Sequence, residues 1–327
     1  MIRHPTRRAA LAAIGSAGTL ALTGCVGGDD DTSRWEPVES PTMKSLYAVT
    51  ATRDGPYAVG ESGRIVARCH LGWATVSKHG PGNGGNALFD ADGTDDGRAM
   101  WAAGDSGAVG RYDVVTRTST DFSAPLGKTS SWEAVGVLGV AGEEWVFLLN
   151  GSGELLRGRY GGDGTVDWDD PFEPGSGTTG TAVAFGDNGF GYVVDSGGEV
   201  FKTVDREEWR RIGIDTTSDS LFDVSPFGEE RAAAAAQDGR IFRYNGFDWT
   251  TIEAGTADLH AIDRTKRGGL AVGESGVIYQ LTPDGWQQDS LQASAALHGA
   301  TLGAGQYPPV AVGDSGEIVE RPRPDDP

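Results

Sequence analysis

The stretch Leu259-His260-Ala261-Ile262, Gly269-Leu270-Ala271-Val272-Gly273, Glu274-Ser275-Gly276, Val277-Ile278-Tyr279-Gln280-Leu281 and Trp286-Gln287-Gln288-Asp289 decides how this chain folds. It reads as four short β-forming runs with a small hairpin signal between the second and third. The serine can take a local hydrogen bond and the glycine a positive φ, which is hairpin chemistry. Runs that are apolar or small at nearly every position suit sheets covered on both faces.

Working outward, the hairpin signal returns as Glu61-Ser62-Gly63, Asp105-Ser106-Gly107, Asn150-Gly151-Ser152-Gly153, Asp195-Ser196-Gly197, Gln237-Asp238-Gly239 and Asp314-Ser315-Gly316. The last glycines follow at intervals of 44, 46, 44, 42, 37 and 40 residues, the period of a four-stranded propeller blade. The first run also recurs, as Leu46-Tyr47-Ala48-Val49, Leu88-Phe89-Asp90-Ala91, Trp132-Glu133-Ala134-Val135, Thr181-Ala182-Val183, Leu221-Phe222-Asp223-Val224 and Leu297-His298-Gly299-Ala300. The expected fold is all-β: a single seven-bladed β-propeller of four-stranded antiparallel blades over residues 34–321. Fourth strands are expected at Trp73, Trp168, Trp209, Trp249 and Trp286, and blade 2 lacks the tryptophan.

The last blade is a strand short, because Pro322, Pro324 and Pro327 follow its third run and cannot form a paired central strand. The missing piece is expected at the other end of the chain. Arg34-Trp35-Glu36-Pro37-Val38-Glu39 aligns with Asp248-Trp249-Thr250-Thr251-Ile252-Glu253, so an N-terminal strand should complete blade 7 and close the ring. Residues 322–327 read as a disordered Pro/Asp tail.

Residues 1–24 read as an export signal. Arg7-Arg8 precedes an apolar run from Ala9 to Leu22 that is too short to span a bilayer, and the arginine pair resembles a twin-arginine signal. Leu22-Thr23-Gly24-Cys25 resembles a lipobox, so Cys25 is expected to carry lipid, with residues 25–33 as a flexible acidic tether. The expected location is the extracellular face of the cell membrane, as a monomer.

Net charge is −20 and only 5 of 27 basic residues are lysines, which argues against a nucleic-acid partner. This balance resembles the surfaces of proteins from salt-loving archaea, where brine screens self-repulsion. Beyond Cys25 the chain has one cysteine, Cys69, expected as a half-buried structural thiol, so an internal disulfide is excluded.

The run of residues 259–262, then 271–279, then Asp284-Gly285-Trp286 resembles the repeat of the photosystem II assembly and stability factor family (Ycf48 type). More broadly it is similar to BNR and YVTN propellers. The resemblance implies a non-enzymatic scaffold that binds a protein complex. Thr203-Val204-Asp205-Arg206-Glu207-Glu208-Trp209 is similar to a degraded Asp-box, a structural turn of sialidase-like propellers. The alternative reading is therefore a degenerate carbohydrate-active propeller that binds or cleaves surface glycans.

No phosphate loop, dinucleotide fingerprint, cofactor motif or nucleophile elbow is present, and no catalytic residue is assigned. Two groups of residues stand out. Glu61, Asp105, Asp195, Glu274 and Asp314 follow the repeat and should project from one rim as an acidic docking ring, with the loop from Lys78 to Asn86 beside it. His260 and His298 share the column of Tyr47, Phe89, Glu133 and Phe222, where they pack between blades or line the channel.

Overall fold

The computed structural model describes residues 34–175, 179–186, 189–214 and 217–322. Arg7, Arg8, Cys25, the tether before Arg34 and the tail beyond Pro322 lie outside the described residues. Seven four-stranded antiparallel sheets follow one another, each ordered from innermost to outermost strand. Blade 1 comprises Leu46–Thr52, Gly55–Gly60, Arg64–Cys69 and Gly72–Ser77. Blade 7 takes Leu297–Thr301, Val310–Gly313 and Ile318–Glu320 from one end of the chain and Glu36–Pro37 from the other.

That closure follows the expected register. Glu36 pairs with Glu320 and Pro37 with Val319, and Val38 N donates to Ile318 O at 3.0 Å. Trp35 thereby stands in blade 7 where Trp249 stands in blade 5. It is 3% exposed, packed among Leu270, Ile278, Leu297 and Val319.

Apolar burial is divided into seven clusters, one at each contact between neighbouring blades, including the seam between blades 7 and 1. Side chains on both faces of each sheet are consumed by its neighbours. The axis is left as a channel rather than a core.

The second-to-third turns are tighter than ordinary helical turns. Ser62, Ser106, Ser275 and Ser315 have φ of 57–61° and the glycines after them 71–77°, so both central residues are left-handed, as in type I′ hairpins. Gly60, Gly104, Gly273 and Gly313 precede these turns because a Cβ there would lie 1.8–2.0 Å from a carbonyl oxygen at the start of the innermost strand.

Two expectations are corrected. In blade 3 the left-handed glycine is Gly153, as expected from the spacing, but in blade 4 it is Gly198 rather than Gly197. Asp195 N bonds Glu199 O as Gly104 N bonds Ala108 O, so Asp195 is the counterpart of Gly104, not of Asp105. Its carboxylate accepts from Gly197 N and Glu199 N (2.9 and 2.8 Å), stabilising the turn from within. Cys69 is exposed rather than half-buried, because the strand has reached its hairpin there, and its Sγ donates to Gly72 O at 3.1 Å.

Antiparallel order divides the connections between two faces. The Ser-Gly turns and blade-to-blade crossovers emerge on one, which we call the rim face; Glu61 N, for example, donates to Ser45 O. First-to-second and third-to-fourth connections emerge on the far face, where Gly162 of one approaches Gly142 of the other.

Candidate functional site

All seven innermost strands carry the same irregularity. Pairing skips the second residue in each, so Tyr47, Phe89, Glu133, Thr181, Phe222, His260 and His298 are the bulged positions. A bulge re-aims one side chain without breaking the sheet. Repeated seven times, it gathers one side chain per blade at the rim-face end of the channel.

Five of these seven make a chain of ring contacts. Phe222 meets His260 at 5.7 Å, His260 stacks on His298 at 5.2 Å and 10°, and Tyr47 touches both His298 (5.9 Å) and Phe89 (6.1 Å). All five are half-buried. They form an arc across blades 5, 6, 7, 1 and 2, in which His260 and His298 pack against rings of neighbouring blades.

The rim carboxylates coincide with that arc. Glu61, Asp105, Glu274 and Asp314 belong to blades 1, 2, 6 and 7, whereas the equivalent positions in blades 3, 4 and 5 are Gly151, Ser196 and Gln237. The acidic ring expected from sequence is thus half a ring, without Asp195. His298 Nε2 donates to Asp314 Oδ1 (3.0 Å), as does Ser45 Oγ (3.1 Å). Burial alone pushes Asp314 up, but these bonds and the histidine's charge outweigh it and hold its carboxyl below the usual range. Lys44 bonds Glu61 and lowers it. Burial, then Glu61 and Asp314, raises the Tyr47 phenol, and burial followed by His298 pulls His260 below its ordinary value. His260 Nδ1 donates to Leu297 O at 3.1 Å, which fixes its tautomer.

The loop from Lys78 to Asn86 lies on this face as expected, with the His79 backbone against Gly63. His70 and His79 are exposed. Met43 (88% exposed) and Leu126 (55%) add apolar surface on the same face.

Below the arc, the channel holds a cavity of about 1000 Å³ whose lining includes Asp90, Asp92, Asp223 and Asp263. Two of these, Asp90 and Asp223, stand in the innermost-strand runs quoted above without having been singled out. Each bridges to the next blade: Asp90 accepts from Val135 N, Asp92 from Val137 N and Asp223 from Ile262 N, all at 2.8 Å, and Asp263 from Leu302 N at 2.7 Å. They satisfy N–H groups on the channel edge of innermost strands. Burial pushes Asp90 up to about 6, Asp92 and Asp223 up to about 7, and Asp263 upward. A spacing of one blade between an aspartate and the strand it serves was the available signal. Among the described residues, no group of three or more His, Cys, Asp or Glu is arranged to hold a metal ion.

No family model matches this chain and no curated protein matches it by sequence. Solved structures do. Virginiamycin B lyase from Staphylococcus aureus superposes with a TM-score of 0.73 at 14% identity, over 88% of this chain and 98% of its own. This chain is a seven-bladed β-propeller. A structure of Ycf48 bound to a D1 peptide matches at TM-score 0.67 and 15% identity, covering 89% of this chain and 95% of that one. The WD40 repeats of RRP9 match at 0.70 and 10%, covering 88% and 96%. Identities this low show the propeller fold alone, and the set includes both an enzyme and binding scaffolds.

Proposed function

We propose that this propeller is a non-enzymatic binding scaffold that takes a protein partner on its rim face. The observation carrying the proposal is the arc in which Tyr47, Phe89, Phe222, His260 and His298 touch under Glu61, Asp105, Glu274 and Asp314. Rings framed by carboxylates suit lysine or arginine side chains, which gain both ring-face attraction and charge pairing. The preferred partner therefore offers a basic segment. Among the described residues Glu274 has no ion-pair partner, so it is available to one.

The proposal includes export in the folded state through the Arg7-Arg8 signal and attachment to the outer face of the membrane by lipid on Cys25. A two-chain lipid anchors stably, at about 0.8 kcal/mol per buried methylene. The acidic composition supports a setting of high salt, where carboxylates keep the surface hydrated without strong self-repulsion.

Crosslinking on intact cells followed by mass spectrometry tests this reading. Wild type should retrieve a membrane protein complex with crosslinks on the rim face, and Glu61→Lys with Asp105→Lys and Glu274→Lys should lose it at unchanged melting temperature. Equal retrieval by the triple variant would overturn the acidic arc as the contact. Turnover in a glycoside screen would favour the carbohydrate-active alternative.

A further inference from the structure

Among the described residues, seven large apolar side chains are strongly exposed, and five of them are on the far face. Leu71 (99%), Val115, Val204 and Phe247 (90%) occupy third-to-fourth hairpins of blades 1, 2, 4 and 5, and Val140 a first-to-second connection of blade 3. A leucine and a phenylalanine held almost wholly in water at hairpin tips are not required by the fold. Their blades are spread around the ring, so a flat apolar surface could meet several at once.

The entry point of the chain says what that surface is. The closing strand runs antiparallel to Ile318–Glu320, with Glu36 opposite Glu320, so Arg34 enters blade 7 from the far face. Arg34 occupies the place of Asp248, directly after the hairpin tip that carries Phe247 in blade 5. Cys25 lies nine residues before Arg34 in sequence. Nine residues reach ~30 Å at most, so a lipid on Cys25 cannot let the propeller drift far from the bilayer.

We infer that the far face lies against the membrane, with Leu71, Phe247, Val204 and Val115 entering the lipid headgroup layer. This rests on the proposed lipidation of Cys25. Exposed Arg117, Lys266 and Arg267 on the same face can meet phosphate headgroups, while Asp205, Glu207, Glu208 and Glu229 interleave with them. Apolar insertion combined with the tether, rather than net charge, supplies the adhesion. The acidic rim face then points away from the bilayer, toward a partner.

Cys69 is a native reporter, exposed two residues from Leu71. The full-length lipidated protein is reconstituted on vesicles of phosphatidylcholine and phosphatidylglycerol, its N-terminal mass is checked for lipid, and a charged maleimide is added. Labelling of Cys69 should slow at least about fivefold relative to detergent-free protein without vesicles, because interfacial insertion excludes the reagent. A rim thiol, Glu274→Cys in a Cys69→Ser background, should keep its free rate. Leu71→Asp with Phe247→Asp should restore labelling of Cys69 while the protein stays anchored. Free-rate labelling of Cys69 on a lipidated, vesicle-bound protein would overturn the inference, as would protection of the rim thiol instead. If the mass shows no lipid, anchoring through Cys25 fails, and flotation of the same protein with vesicles decides the face. Flotation abolished by the two aspartates supports it, and absence of flotation overturns it.

Discussion

Trp73 donates its indole N–H to Glu320 across the seam between the first and last blades, with Nε1 and Oε1 2.6 Å apart. Arg68 Nε meets the same oxygen at 2.6 Å. Glu320 also pairs through its backbone with Glu36 of the closing strand. One residue therefore fastens the seam on one side and receives the N-terminal strand on the other, so the ring and its closure are mechanically one element.

Trp35→Ala is expected to destabilise the propeller by about 3–5 kcal/mol, the cost of emptying a well-packed tryptophan site. Deleting residues 34–39 should do more, since it also exposes an unpaired strand edge. Thermal melting followed by circular dichroism measures both. An unchanged midpoint for either would contradict the closure.

A second stabilising centre is buried between blades 2 and 3. Arg111 Nε bonds Glu144 Oε1 at 2.7 Å with exposures of 7% and 0%, and Trp101 Nε1 reaches the same oxygen at 3.2 Å. Removing one member of such a pair strands the other charge away from water. Glu144→Ala should cost about 3–5 kcal/mol by chemical denaturation. Arg111→Met with Glu144→Leu should recover only part of it, because the charge penalty is removed while Trp101 Nε1 and Gly142 N are left without their acceptor.

Much of this architecture was legible because it repeats. The turn at Ser275-Gly276 and its copies requires left-handed residues, and the alignment of Trp35 with Trp249 follows from outer-strand packing, so both could be read from spacing. Asp195 was misplaced by one residue because Asp-Ser-Gly-Gly satisfies the turn signal in two registers, and only the hydrogen bonds of Asp195 choose between them. The arc of Tyr47, Phe89 and His298 was visible as a column but not as a site, since contact across blades depends on a bulge that spacing does not reveal. Glu144 gave no signal at all among so many carboxylates, because its partner is 33 residues away on another blade.

The channel aspartates should give an unusual pH response. With carboxyls raised by burial to about 7 in Asp92 and Asp223, the native state holds protons that the unfolded chain, titrating near 4, has released. Stability contributed by these groups is therefore present at low pH and is lost as pH rises through about 7. Carboxyls held low, such as Asp113 and Asp219, act below pH 4 and leave this window clear. Asp92→Asn with Asp223→Asn keeps the acceptors for Val137 and Ile262 and should flatten the slope between pH 5 and 7.5. Melting midpoints across that range in both proteins measure the difference, and parallel curves would count against it.

His260 imposes the opposite sign over a neighbouring window. Burial and the stacked His298 ring lower its affinity for a proton, so below about 6.5 the unfolded chain binds a proton that the native state resists. Stability from this site is complete above that pH and declines as pH falls. In the wild type the two effects partly cancel, which would hide both in a single melting series. His260→Phe separates them, since it keeps a ring between Phe222 and His298 while removing the titration. It leaves the Leu297 carbonyl without its donor, a cost of about 1 kcal/mol that does not vary with pH. The variant should therefore melt lower than wild type at pH 8, and the gap should narrow as pH is lowered toward 5. A gap constant across that range would mean that the His260 imidazole does not resist protonation and that its place in the arc can accept charge at no cost.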